Sequence, residues 1–327
     1  MHDDDVKGTG GKALVAVGGL AVSAVFLWLA VRNADLDAVG HALADAEFGP
    51  VALAVGAIGF GYGFQAARWK RIADTPSVPL RSFYAMLIGA LACNNVLPVR
   101  IGEFLRAGWL SRDARISGGR AFGSVVLDRI CDIVVLALLF AIGVQAVASA
   151  DWLVRLGVGA LLAVIGIAIV LVLARLYMRR RRAERSERGR LLTVLRETVE
   201  MLGEPIGRHR AATWLVFTVC TWILSSVAAT LVGRALGIDL SPLEAVFVTS
   251  ALALGVAIPS SPGYIGTYQL IGVEALGLLD VPASQALAFS ILMQATWYVP
   301  TTLVGGAFIG LRAIRGRPLR EADPNPL

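Results

Sequence analysis

Six charged side chains interrupt two apolar parts of the chain, three of them between positions 100 and 106 and three between positions 128 and 132. A charge at the bilayer centre costs about 2.5 to 3.5 kcal/mol, so such residues face the protein interior and mark a pathway or a partner. Helical spacing places Glu103 beside Arg106 and Asp128 beside Asp132, because residues three or four positions apart share a helix face. The six residues are Arg100, Glu103, Arg106, Asp128, Arg129 and Asp132.

Two interpretations of this charged group are open. Three arginines and three acids sum to zero charge, so they can form a purely structural ion network. Alternatively, Arg100 binds an anionic head group, because the guanidinium fork matches the oxygens of a phosphate. Glu103 and the two aspartates would then hold the arginines in place or relay protons, with Asp128 as the acid nearest to Arg129.

A second polar group follows Pro259 and offers hydroxyls without charge. A helix that begins near Pro262 would point its positive N-terminal end at a ligand. The alternative is that these hydroxyls only satisfy broken backbone. The uncharged residues that we predict to contact a substrate are Asn94, Asn95, Ser260, Ser261, Tyr264 and Tyr268.

Other kinds of chemistry are not indicated by the sequence. The three cysteines lie in apolar segments without close spacing, and the three histidines lie far apart, so no metal site is predicted. No phosphate-binding glycine loop precedes a Lys, and no nucleophile–His pair is suggested. We therefore expect no cofactor, no nucleic-acid partner and no enzymatic activity. An intramembrane enzyme with Asp128 and Asp132 as acid and base is kept as an alternative.

The elements that position these residues are predicted to be membrane-spanning helices. Only 17% of the residues are charged and the mean hydropathy is +0.69, whereas soluble domains carry about 25% charged residues. A spanning helix needs roughly 20 apolar residues. Six stretches are long enough, which predicts an all-α polytopic membrane protein with about six full spans. The stretches are residues 13–31, 49–67, 121–150, 156–174, 211–233 and 283–311.

Two further apolar regions, residues 82–109 and 245–279, each consist of two arms around a break. The breaks, at 94–103 and 258–267, are rich in Pro and Gly. Pro lacks an amide donor and Gly tolerates unusual backbone angles. Irregular backbone at membrane depth survives only where protein or water satisfies it. We therefore predict two re-entrant helical hairpins with their tips near the middle of the membrane.

The two breaks also resemble each other. Pro98-x-x-Ile101-Gly102 recurs 164 positions later as Pro262-x-x-Ile265-Gly266. Each half then reads span, span, hairpin, span, and an odd number of spans requires the halves to be inverted. Inverted repeats with broken helices are typical of transporters, whose substrate site lies at the repeat interface. The chain is predicted as one transmembrane domain, 1–327, with inverted halves 1–150 and 151–311.

Positive charges predict the orientation of these spans. Most of the 30 Lys and Arg residues fall on the cytoplasmic side if both termini are cytoplasmic. This assignment places Arg68 in the cytoplasmic loop after the second span. Residues 187–203 are predicted as an amphipathic helix on the inner surface, with its leucines on one face. Residues 312–327 are a cytoplasmic tail. Gln294 is expected to pack across to the first half.

One motif carries a family resemblance. The run from Asn94 to Arg106 reads Asn-Asn-Val-Leu-Pro-Val-Arg-Ile-Gly-Glu-Phe-Leu-Arg. It resembles the Asn-Asn-x-Leu-Pro-x-Arg-x-Gly-Glu-x-x-Arg motif of the lysylphosphatidylglycerol synthase transmembrane-region family, also called flippase-like domain proteins. The stretch around Asp128 looks like the family's Glu-Arg-x-x-Asp span, with Asp in place of Glu. Thr267 stands where the family usually has a charged residue.

The resemblance implies a role in lipid translocation or related lipid handling, by the membrane module alone without lysyl transfer. We expect movement of an anionic or isoprenoid-linked lipid across the cytoplasmic membrane of a prokaryote. The alternatives are an intramembrane lipid-modifying enzyme and a non-catalytic scaffold for a glycosyltransferase or another lipid-synthesis partner. The expected ligand is a membrane lipid with an anionic head group, and a homo-oligomer or a complex with a lipid-pathway enzyme is compatible with the sequence.

Overall fold

The computed structural model describes residues 23–97, 101–147, 190–202, 207–256 and 262–315, together with the helical residues 159, 162 and 166. Within these residues all regular secondary structure is helical, which confirms the all-α prediction. In chain order the helices are α1 (23–31), α2 (Leu36–Ala44), α3 (Phe48–Ala73), α4 (Leu80–Val96), α5 (Gly102–Ala114), α6 (Gly118–Gly143), α7 (Arg190–Leu202), α8 (Arg208–Ala235), α9 (Pro242–Gly255), α10 (Thr267–Gly277) and α11 (Ala283–Arg315).

Three helices of the described part are long and apolar enough to cross a membrane, namely α3, α8 and α11. Helix α6 has 26 residues, which at 1.5 Å per residue also exceeds the thickness of the hydrocarbon core. It carries four charged residues, Arg120, Asp128, Arg129 and Asp132. Most of the predicted spans 13–31 and 156–174 lies outside the described residues, as does the tail 316–327.

Local signals explain where the helices begin and end around the two breaks. Helix α4 ends at Val96 and Leu97 is extended, with φ −97° and ψ 142°, as expected for a residue that precedes a proline. Helix α9 begins at Pro242 behind a capping box formed by Ser241 and Glu244. Within the second break, Gly263 and Gly266 have φ of 69° and 90°, backbone angles that favour glycine.

The helices of the second half follow the order of the first. Shifting the bounds of α5 by the 164 residues that separate Pro98 from Pro262 gives 266–278, against Thr267–Gly277 observed for α10. The same shift brings α3, α4 and α6 onto α8, α9 and α11. Neighbours correspond as well: α3 packs on α8, α4 packs on α11, and α6 packs on α9. Helices of the first set therefore pack directly against helices of the second set.

Glycines allow helices of the two sets to approach each other closely. A Cβ atom built on Gly143 of α6 would lie 2.7 Å from the backbone of Phe247 in α9. A Cβ on Gly89 of α4 would lie 2.7 Å from the ring of Phe308 in α11. Where α11 crosses α4, a Cβ on Gly305 would collide with the carbonyl of Ile88. The contact between α4 and α11 therefore depends on small residues.

Helix α7 confirms the predicted helix near 187–203 and shows a contact that the sequence pattern did not predict. The Thr198 hydroxyl donates to the Gly119 carbonyl of α6 at 3.1 Å. Met201 is buried with Ile72 and Trp214. Leu195, on the predicted apolar face, is 50% exposed. The helix thus docks on α6 through its Thr198 side and leaves Leu195 on the outside.

Candidate functional site

The centre of the site is a carboxylate held by arginines from two other helices. Asp128 of α6 is fully buried. One of its oxygens, Oδ1, accepts a hydrogen bond from Arg68 Nε of α3 at 2.8 Å and forms an ion pair with Arg68 Nη2 at 2.7 Å. The other, Oδ2, accepts from both terminal nitrogens of Arg106 of α5 at 3.2 Å. Both arginines are also fully buried, so this triad joins α3, α5 and α6 away from water.

Asp132, one helical turn further along α6, extends the network towards α8. Its Oδ1 accepts from Arg68 Nη1 at 2.8 Å and from Trp222 Nε1 at 3.2 Å. Its Oδ2 accepts from Gln65 Nε2 at 3.3 Å. Arg68 also donates to the Thr218 hydroxyl at 2.7 Å. Four helices therefore converge on the guanidinium of Arg68 and on the two carboxylates that it joins.

The outer edge of the network is the pair formed by Glu103 and Arg129. Glu103 bridges two arginines: one carboxylate oxygen lies 2.8 Å from Arg106 Nε and the other 2.9 Å from Arg129 Nη2. Arg129 also lies 3.4 Å from Asp132. The Arg129 side chain is 36% exposed and that of Glu103 is 22% exposed, whereas Arg68, Arg106 and Asp128 are at 0%. This pair is the accessible part of the network.

The structure corrects the sequence interpretation in two respects. Arg68 was assigned to a cytoplasmic loop. It lies inside α3, because this helix continues to Ala73, beyond the charge-free stretch 49–67. Its spacing of three from Gln65 was the available signal, since the two share a helix face. Asp128 was predicted as the acid nearest to Arg129, yet its partners are Arg68 and Arg106.

With Arg68 included, the described network contains three arginines and three acids, and every member has an opposite charge within 3.4 Å. It is therefore neutral without Arg100, which lies outside the described residues. The structure brings together the other five predicted charged residues: Glu103, Arg106, Asp128, Arg129 and Asp132.

The two helix breaks meet beside this network. Asn95, near the end of α4, donates from Nδ2 to the hydroxyls of Thr301 and Thr302 in α11 at 3.1 and 2.8 Å. The Tyr298 hydroxyl donates to the Asn95 carbonyl at 3.3 Å. A Cβ on Gly263, in the second break, would lie 3.2 Å from the same carbonyl. Asn95 of the first break is thus in contact with Gly263 of the second break, and α11 contacts Asn95 as well.

Asn94 forms a hydrogen bond across the first break. Its Oδ1 accepts from the Gly102 amide at 2.8 Å, and this bond joins the end of α4 to the first residue of α5. A Cβ on Gly102 would collide with the Ala90 carbonyl and lie 2.7 Å from Asn94 Oδ1, so only glycine fits. The bond places the break directly before Glu103 of the ion network.

The second break is held by uncharged amides. Gln294 of α11 donates to the Gly263 carbonyl at 2.6 Å and accepts from Gln269 of α10. Gln269 in turn accepts from the Gly266 amide at 2.7 Å. Gln294 was predicted to pack across to the first half; among the described residues, both of its hydrogen bonds stay within the second half and support the broken backbone there.

Aromatic rings surround the second break. Trp297 of α11 lies 6.3 Å from the ring of Tyr264 and 5.9 Å from the ring of Tyr268, centroid to centroid. Tyr62 of α3 packs against both large clusters of buried apolar residues, one of which combines residues of both halves. The predicted site residues Ser260 and Ser261 lie outside the described residues.

Comparison with known proteins identifies the family of this chain. The profile of the family described as the lysylphosphatidylglycerol synthase TM region matches residues 16–305. The chain belongs to that family. In this family member Asn95 of the motif contributes to the contact between α4 and α11, and the Glu and the final Arg of the motif, Glu103 and Arg106, enter the ion network.

A curated relative of this family member is Glycosyltransferase AglD of Haloferax volcanii, which is 26% identical over 339 aligned positions. The alignment covers 90% of this chain and 54% of the relative. The chain therefore spans about half the length of the curated relative that it matches.

Proposed function

We propose that this protein moves an anionic or isoprenoid-linked lipid across the cytoplasmic membrane of a prokaryote. The observation that carries the proposal is the contact between the two helix breaks, at Asn95 and Gly263, together with the Asn94–Gly102 bond that directly precedes Glu103 of the ion network. Broken helices that meet at a repeat interface are the arrangement in which transporters bind their substrates. Family membership supports a lipid as the ligand.

The recurrence of four helices with corresponding neighbours supports an inverted repeat of halves 1–150 and 151–311. In that arrangement the helix pair α4–α5 and the helix pair α9–α10 are re-entrant hairpins from opposite faces. Six full spans would include α3, α6, α8 and α11, together with the predicted spans 13–31 and 156–174. Both termini would be cytoplasmic, as the distribution of positive charge favours.

We propose that the ion network has a structural part and an exchangeable part. The triad of Arg68, Asp128 and Arg106 is inaccessible, and removing one member would leave an uncompensated buried charge. Arg129 is accessible, and it can exchange Glu103 for a phosphate because Glu103 keeps its contact with Arg106. We assign Arg129 the role of first contact for an anionic head group, beside the predicted contact from Arg100.

We further propose that the protein is not an enzyme. The only acid–base pair that the sequence offered was Asp128 and Asp132. Each of these carboxylates accepts hydrogen bonds on both oxygens, including bonds from Arg68. Both carboxylates are therefore occupied as hydrogen-bond acceptors within the ion network.

A scaffold for a glycosyltransferase is the second candidate function. The relative that this chain matches is named a glycosyltransferase, and this chain spans about half of its length. In this alternative the membrane module holds a partner enzyme near its lipid substrate, and the helix breaks serve only packing.

Reconstitution of the pure protein separates the two candidates. Vesicles with a fluorescent phosphatidylglycerol in both leaflets are treated with an impermeant quencher, and the fraction lost measures lipid that crossed the bilayer. We expect faster loss than in protein-free vesicles, and a strong decrease for Arg129→Gln. Arg196→Gln is the matched control, because Arg196 forms an exposed pair with Glu200 on α7. Folded protein that leaves the inner leaflet protected would exclude the lipid-moving function and favour the scaffold.

A further inference from the structure

Helix α11 has 33 residues and contains Pro300 in its interior. Proline has no backbone amide proton, so the regular helical bond to the carbonyl of Thr296 cannot form. The hydroxyls of the two threonines that follow Pro300 donate to carbonyls of their own helix at 2.6 Å, and such bonds favour bending. Sharp helix bends occur at prolines. Pro300 therefore divides α11 into a first arm, residues 283–299, and a second arm, residues 301–315.

The two arms of α11 are bound to different helix breaks. In the first arm, Gln294 donates to the Gly263 carbonyl at 2.6 Å and thereby holds the second break. In the second arm, a Cβ on Gly305 would collide with the Ile88 carbonyl of α4, so the two helices touch there. The first arm is thus tied to the second break, and the second arm is tied to the helix that leads into the first break.

The second arm ends in an ion pair with α5. Arg312 donates from Nη1 to Asp113 Oδ2 at 3.0 Å and from Nη2 to Asp113 Oδ1. Its guanidinium lies 5.7 Å from the ring centroid of Trp109 and 5.9 Å from that of Phe308. These two rings pack edge to face, with their centroids 5.5 Å apart. The four side chains therefore join α5 to α11 through one charged layer and one aromatic layer.

This cluster of four side chains lies about half a membrane thickness from the helix breaks. Arg312 follows Thr302, which bonds to Asn95 of the first break, by ten residues. Ten helical residues span about 15 Å, and the hydrocarbon core is about 30 Å thick. With the breaks near the middle of the membrane, the cluster lies at its surface, on the side that positive charge predicts to be cytoplasmic.

The ion pair of this cluster can break at little cost. The side chains of Asp113 and Arg312 are each 30% exposed, and exposed pairs contribute little to stability because water replaces the lost partner. The described ion network around Asp128 is buried and contains no residue of α11. A motion that separates α11 from α5 therefore breaks the exposed pair and leaves the buried charges paired.

We propose that Asp113, Arg312, Trp109 and Phe308 form a gate on the side predicted to be cytoplasmic, and that α11 bends at Pro300 when the gate opens. The gate is closed in this conformation. It rests on the proposed function and adds the step that admits the lipid. The second arm moves away from α5, and the contact between the two breaks becomes accessible from the inner leaflet.

Reversible crosslinking tests the gate. In a protein whose three native cysteines are replaced by serine, Asp113→Cys and Arg312→Cys are joined by a short bis-methanethiosulfonate reagent. Lipid movement in vesicles should slow about tenfold, because the gate cannot open, and reduction should restore it. Joining Arg196→Cys to Glu200→Cys, an exposed pair within α7, is the matched control and should not change the rate. Joined gate positions with the rate of the reduced protein would overturn the proposal.

Two proline variants test the hinge. Pro300→Ala allows the missing backbone bond to form, so it should keep or raise the unfolding temperature while lipid movement slows about fivefold. A merely structural proline would not separate these two measurements. Pro242→Ala is the matched control, because Pro242 begins α9, where proline removes no helical bond. It should retain the parent rate. Folded Pro300→Ala that moves lipid at the parent rate would overturn the hinge.

Distances between spin labels separate the gate from the function on which it rests. Labels are attached at Arg112 and Ile314, which are exposed on the two sides of the gate. Pulsed electron resonance in nanodiscs should show a short and a long distance. Asp113→Asn should enlarge the long population, and Pro300→Ala the short one. A single distance that neither variant changes would overturn the gate, even if lipid moves. Both distances in a protein that moves no lipid would support the motion and exclude the proposed function.

Discussion

Arg68 of α3 and Asp128 of α6 form a fully buried ion pair with contacts of 2.7 and 2.8 Å. The two residues are 60 positions apart, and they belong to helices that pack side by side. Arg106 reaches the second oxygen of the same carboxylate from α5. A single carboxylate thus pairs with two buried arginines, which makes it the most sensitive position of the network.

Asp128→Asn is expected to reduce the folded yield sharply. The change leaves Arg106 with Glu103 alone and Arg68 with Asp132 alone, so the buried cluster gains an excess positive charge. Breaking a buried pair in this way costs about 3 to 5 kcal/mol. Thermal unfolding in detergent, followed by intrinsic fluorescence, measures the loss. Asp113→Asn is the control, because the pair of Asp113 with Arg312 is 30% exposed on both sides, and exposed pairs contribute about 0 to 1 kcal/mol. Similar stability of the two variants would contradict this account.

Removing one arginine and one acid together is expected to cost less stability than the sum of the two single losses. Arg68→Gln leaves Asp132 with Arg129, and Asp132→Asn leaves Arg68 with Asp128. The double variant restores charge balance, so its loss of stability should be smaller than the sum of the two single losses by at least about 1 kcal/mol. The measurement is a double-mutant cycle of unfolding free energies. Additive losses would show that the two residues do not act as a pair.

Two adjacent glycines in α11 test the close crossing with α4. A Cβ on Gly305 would collide with the Ile88 carbonyl and lie 2.6 Å from the Ala92 side chain, whereas a Cβ on Gly306 meets nothing within 4 Å. Gly305→Ala should therefore destabilise the fold by about 1 to 3 kcal/mol. Gly306→Ala should leave it unchanged or slightly more stable. Unfolding temperatures of the two variants provide the comparison, and equal temperatures would argue against this crossing.

The orientation of the chain is tested by cysteine labelling. Contacts place the loops on two sides: the Glu47 amide bonds to the Ala235 carbonyl at one end, while Arg210 pairs with Asp74 at the other. In a protein whose three native cysteines are replaced by serine, single cysteines at Ala44 and Asp239 should react with an impermeant reagent in intact cells. A cysteine at Ser77 should react only after the membrane is opened. Labelling of Ser77 from outside would reverse the predicted topology.

The sequence alone determined the helical class, the membrane character and most helix positions, because these depend on local composition. Charge-free stretches predicted α3, α8 and α11. Proline and glycine predicted where α4 and α9 end. The repeated Pro-x-x-Ile-Gly motif predicted that the two breaks correspond. The run from Asn94 to Arg106 led to the family, which the comparison confirms.

Only the tertiary structure decided which charges pair. Arg68 follows a charge-free stretch and looked like the start of a loop, yet it is buried at the centre of the network. Asp128 is adjacent in sequence to Arg129 and pairs instead with Arg68 and Arg106. Neighbours along a helix point in different directions, so the partner of a buried charge is set by the helices packed around it. The same reason explains Gln294, whose partners lie on α10 and in the second break.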